Sequence, residues 1–90
     1  RLVEIEGIAM EAELGPHVLL VRNQDKPGFI GNLGRSLGDA GINIATFHLG
    51  RLGPEQGAVA LIQVDQPLND AVLDQVRALP HVVQVKGLKF

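Results

Sequence analysis

Ninety residues allow one compact domain plus a short extension, because a chain of this length cannot divide its buried surface between two cores. The apolar fraction of 46% can fill such a core, which has to be aliphatic because the chain has three Phe and neither Trp nor Tyr. A formal charge of −2, from 8 basic and 10 acidic residues spread along the chain, leaves no surface able to neutralise a run of phosphates, and this excludes nucleic acid and anionic membrane as expected partners.

The absence of cysteine removes disulfides, thiolate metal sites and thiol nucleophiles, and it fits a cytoplasmic location. No apolar stretch approaches the roughly 20 residues of a membrane helix. The start at Arg1 rather than Met suggests a piece of a longer protein.

Between Arg1 and Leu14 the apolar residues Leu2, Val3, Ile5, Ile8, Met10, Ala12 and Leu14 largely alternate with Glu4, Glu6, Glu11 and Glu13 around Gly7. Period two predicts an extended segment or loose hairpin, and residues 1–15 are expected to be a stub leading from a preceding domain. After Gly15 and Pro16, His17–Asn23 is an apolar run of strand length, so the main domain is expected over 16–90. Gln24–Gly28 is a strand-to-helix turn. Asp25 or Lys26 is predicted at the helix cap and Pro27 at the first helical position, where its missing N–H costs nothing.

The first helix should run to about Ala40, with Phe29, Ile30, Leu33, Leu37 and Ala40 on one arc and Gly31, Gly34 and Gly38 on the arc beside it. Three glycines inside a helix together cost roughly 2–3 kcal/mol relative to alanine, so their alignment asks for something packed close against them, either this chain's own sheet or a neighbouring chain. Gly41 stops the helix. Ile42–Leu52 and Ala58–Val64 are predicted strands joined by the turn Gly53-Pro54-Glu55-Gln56-Gly57. Asn69 or Asp70 can cap a second helix carrying Val72, Leu73, Val76 and Leu79, with Arg77 suited to its C-terminal dipole and Pro80 beyond it. Val82–Phe90 is the last strand.

The order is βαββαβ. Right-handed crossovers then give an α+β, ferredoxin-like sandwich with two helices on one face of a four-stranded antiparallel sheet.

Such a fold carries many functions, so function has to be argued from a site. RNA binding would need stacking aromatics on the sheet, where only Phe47 and Phe90 are available. A metal carrier would need a Cys pair, and acyl-phosphate hydrolysis would need a stronger anion cradle than Lys26 with a helix start. His17, His48 and His81 lack a second ligand at metal spacing, no nucleophile–base set is discernible, and Gly31, Gly34 and Gly38 sit within a helix rather than in a nucleotide loop.

The loop Asn23-Gln24-Asp25-Lys26-Pro27-Gly28 with Asn43 remains. Asp25 can accept from an ammonium, the N–H groups of Gly28, Phe29 and Ile30 can hold a carboxylate at a positive helix end, and Asn43 offers both donor and acceptor. Each also has an ordinary explanation: Asp25 as a cap, Gly28 as turn chemistry, Asn43 as the residue that begins a strand.

Asp25-Lys-Pro-Gly-Phe-Ile-Gly31 followed by Gly41-Ile-Asn-Ile44 resembles the D-x-P-G turn and G-hydrophobic-N-I strand start of ACT domains, over about His17 to Phe90. The pattern is most similar to the ACT domains at the C-terminal end of D-3-phosphoglycerate dehydrogenases. That resemblance implies a regulatory, non-catalytic module of serine biosynthesis that binds L-serine between two domains paired side by side into an eight-stranded sheet. It implies serine contacts at Asn23, Asp25 and Asn43, a homo-oligomer, no cofactor in this domain and NAD in the catalytic portion. The Val3-Glu-Ile-Glu-Gly-Ile8 stretch resembles the segment preceding such domains. Some members have His or Tyr at the position of Asn23 and Asn at that of Asp25. An ACT-type dimerisation module without ligand, or one that senses a different amino acid, is the alternative.

Overall fold

The computed structural model describes residues 2–5, 8–11, 16–53 and 56–89, with side chains from residue 16 onward. Strands β1 (Leu2–Ile5) and β2 (Ile8–Glu11) pair antiparallel as a small hairpin, in line with the alternation of the first segment. Then come β3 (His17–Asn23), helix α1 (Phe29–Asp39), β4 (Ile44–Gly53), β5 (Gly57–Val64), helix α2 (Asp70–Arg77) and β6 (Val82–Lys89). The four longer strands form one antiparallel sheet in the order β4-β5-β3-β6, which is the βαββαβ ferredoxin-like arrangement expected.

The central strands carry the core. Leu19 and Val21 of β3, Ala60, Ile62 and Val64 of β5 and Val85 of β6 pack against Phe29, Leu33 and Leu37 of α1 and Val72 and Val76 of α2. Each fully buried Val, Leu, Ile or Phe side chain among them contributes about 1.5–3 kcal/mol relative to exposure. The alternate residues Val18, Leu20, Val59 and Leu61 form a second buried cluster on the face away from the helices. Strand β2 lies against β4. Burial on both faces explains why β3 and β5 are continuous apolar runs rather than alternating ones.

Helix α1 ends one residue before Ala40, in a Schellman arrangement. Gly41 at φ 76° donates to Gly38 O at 3.0 Å and Ile42 to Leu37 O at 2.9 Å, so Gly41 stops the helix as its lack of Cβ allows. Strand β4 begins at Ile44 rather than Ile42, because Ile42 and Asn43 are still leaving that cap. In the β4–β5 turn, Pro54 and Glu55 lie outside the described residues, as does Phe90 beyond β6.

The start of α1 corrects the sequence reading. Gly28, with φ 89° and ψ −15°, is the cap, and Pro27 lies outside the helix rather than at its first position. Lys26-Pro27-Gly28-Phe29 is a turn whose Phe29 N–H donates to Lys26 O at 3.4 Å, with Pro and a left-handed Gly in the places a type II turn gives them. Turn geometry prevails here over the preference of proline for a helix's first residue, and neither Asp25 nor Lys26 caps. Ile30, placed on the core arc by helical periodicity, is 54% exposed.

The glycine flank is also resolved on one point. A Cβ added to Gly31, Gly34 or Gly38 would meet nothing within 4 Å outside the helix, so this chain's own sheet does not explain the three glycines.

Candidate functional site

Register brings the site together. Arg51 of β4 lies opposite Ala58 of β5, and Ala58 lies opposite Asn23 of β3, so residues far apart in sequence sit at one end of the sheet beside the start of α1. A cleft of about 410 Å³ opens there, lined by Asn23, Asp25, Pro27, Gly28, Phe29 and Ile30, together with Arg51 and Leu49 from β4. Asn23, Asp25, Pro27, Gly28, Phe29 and Ile30, all singled out from sequence, therefore surround one cavity.

Asn43 does not join them within a single chain. It precedes β4 at the opposite end of the sheet, where its N–H donates to Gln66 Oε1 at 2.8 Å and its carbonyl accepts from Asp65 N at 3.1 Å. Its side chain is exposed.

At the base of the cleft Asn23 is 2% exposed. Its Nδ2 donates to Val21 O at 3.2 Å, which fixes the orientation of the amide, and its Oδ1 is buried without a donor among the described residues. A buried acceptor left without a partner costs about 1–3 kcal/mol. This oxygen keeps unused acceptor capacity in a residue that lines the cleft.

Above it, α1 begins without a side-chain cap and with no acidic residue in its first turn. The amide of Phe29 is engaged by Lys26 O, so of the three donors expected from sequence it is partly spent, while those of Gly28 and Ile30 have no backbone partner among the described residues. Free amides at the positive end of a helix suit an anion.

Asp25, which the sequence offers as an acceptor for an ammonium, pairs with Arg51, whose Nε donates to Oδ2 at 2.6 Å, both side chains facing outward. Sequence reasoning missed Arg51, 26 positions away, because no local pattern links a loop carboxylate to a guanidinium two strands over. The loop is anchored on its other flank by the turn before β6: Gln24 N–H donates to His81 O at 2.8 Å, and Gln24 Oε1 lies 3.1 Å from His81 Nδ1. Gly57 of β5 backs the loop so closely that a Cβ there would collide with Asn23 O. Among the described residues no group of His, Asp or Glu is arranged to hold a metal ion.

Residues 17–81, most of the chain, match the ACT domain family. The chain belongs to that family. This ACT domain is 36% identical over 86 residues to a D-3-phosphoglycerate dehydrogenase of Bacillus subtilis, and 35% identical over 85 residues to one of Archaeoglobus fulgidus, covering 96% and 92% of the chain. It spans only 16% of either dehydrogenase, about a sixth of their length. It is also 30% identical over 85 residues to a probable L-serine dehydratase beta chain of Bacillus subtilis, covering 94% of this chain and 39% of that one. In fold it resembles the solution structure of the C-terminal domain of the MgtC protein from Mycobacterium tuberculosis, with TM-score 0.60, 18% identity and coverage of 98% and 94% of the two chains. No helix among the described residues is long and apolar enough to cross a membrane.

Proposed function

We propose that this ACT domain is the serine-sensing regulatory end of a D-3-phosphoglycerate dehydrogenase. The observation that carries the reading is the buried, donor-free Asn23 Oδ1 beneath the uncapped start of α1, which together offer an acceptor for an ammonium or hydroxyl and donors for a carboxylate. Asn23, Asp25, Pro27, Gly28, Phe29 and Ile30 form one half of the site. Asn43, at the far end of β4, comes from a second copy paired along the β4 edge in a side-by-side, eight-stranded sheet. The edge position of β4 and the exposed Ile30 and Ile44, 54% and 39% accessible, support that pairing.

Serine favours one arrangement of the paired domains and so lowers the activity of a distant active site, a coupling that requires unequal affinity for the two arrangements. The domain has no active site or cofactor of its own. NAD belongs to the catalytic portion, and the whole protein acts in the cytoplasm in serine biosynthesis. Calorimetric titration of wild type with L-serine should give saturable heat that Asp25→Ala abolishes, and a silent wild type or an unaffected variant would count against the reading.

The Asp25–Arg51 contact favours one second reading, in which the ion pair has taken the place of the ammonium and the domain only holds subunits together. Sedimentation with and without serine separates the two, since a ligand-blind dimer behaves identically in both.

A further inference from the structure

The Asp25–Arg51 pair is only half used. Arg51 reaches Asp25 through Nε alone; its two terminal nitrogens and Asp25 Oδ1 have no partner among the described residues, and both side chains line the cleft at the start of α1. With Arg51 69% and Asp25 39% exposed, the pair adds little to folding, so stability does not account for a guanidinium placed at the mouth of this cleft.

An α-amino acid carries an ammonium and a carboxylate on one carbon. Set across this pair, its ammonium meets the unused oxygen of Asp25 and its carboxylate the unused fork of Arg51, so that the four charges alternate in sign and the existing contact need not break. The planar guanidinium is suited to bidentate carboxylate recognition in a way that a lysine ammonium is not.

We propose that Arg51 takes the α-carboxylate of the ligand alongside the α1 amides, making Asp25 and Arg51 a two-charge reader that selects zwitterions over ligands with one charge. The proposal rests on the amino-acid-binding reading and assigns the residue that discriminates within it.

The test is a nitrogen-15 NMR titration of the chain with L-serine and with L-serine methyl ester, which keeps the ammonium and hydroxyl but has no carboxylate. Wild type should bind serine about tenfold more tightly than the ester, the size of one partly exposed charge-assisted contact. Arg51→Gln should lose that preference by weakening serine about tenfold while leaving the ester unchanged, and Arg51→Lys should fall between. Asp25→Asn should weaken both ligands. The spectra themselves report whether each variant is folded. Arg51→Gln binding serine as wild type does, or losing serine and ester equally because Arg51 merely positions Asp25, would overturn the proposal and leave the site reading standing. A wild type that responds to no amino acid would overturn both.

Discussion

The two helices of this domain begin in opposite ways. At α2, Asn69 Oδ1 accepts from Val72 N at 2.9 Å and Asp70 occupies the first turn, so the helix supplies its own acceptor and its own negative charge. At α1 a left-handed Gly28 stands in the cap position, no side chain bonds back, and the nearest carboxylate, Asp25, is turned to Arg51. Both helices deliver apolar side chains to the same core, so packing does not require the difference. One start is completed by its own side chains and the other is not, which is why the proposed ligand site rests on a helix end and not on the fold itself.

Substitutions around the two starts test that contrast. Gly57→Ala should have the largest effect, because its Cβ would collide with the backbone at Asn23 O and its φ is 81°. Together, overpacking and left-handed strain should cost about 2–5 kcal/mol in urea unfolding, and serine binding should go with the displaced loop. Gly28→Ala meets no neighbouring atom within 4 Å and has only its φ of 89° to contend with, so about 1–2 kcal/mol is expected. Asn69→Ala should cost about 1 kcal/mol of stability and leave serine affinity untouched; a loss of binding there would show that the two helix starts are not independent. Gly34→Ala should raise the thermal stability of the single chain by up to about 1 kcal/mol, since no atom outside the helix lies within 4 Å of its Cβ. If the same change weakens self-association by sedimentation, the glycine flank serves a neighbouring chain.

Sequence carried the elements and most of the cleft. Alternation marked the first segment, apolar runs between turns marked the longer strands and helical spacing both helices, Gly41 and Asn69 announced their caps, and the Asp25-to-Gly31 stretch named the loop, because these features are local. What escaped was tertiary or decided by competition between local rules. Pro27-Gly28 satisfies both a helix start and a type II turn, and only the chain's path settles which prevails. Arg51 reaches Asp25 by way of strand register. The enclosure of Asn23 depends on β5 and β6 pairing on either side of it, and nothing in the identity of one asparagine reveals that its oxygen will lack a donor.

Asn43 and Arg51 stand at opposite ends of β4, roughly 25 Å apart at about 3.3 Å per residue. An edge strand with different polar groups at its two ends has a direction, and a two-fold antiparallel partnership turns that direction into stoichiometry, with two complete sites per pair and only half of one in an isolated chain. On the proposed arrangement, dilution alone would therefore silence the sensor, and effector would in turn hold the pair together by mass action.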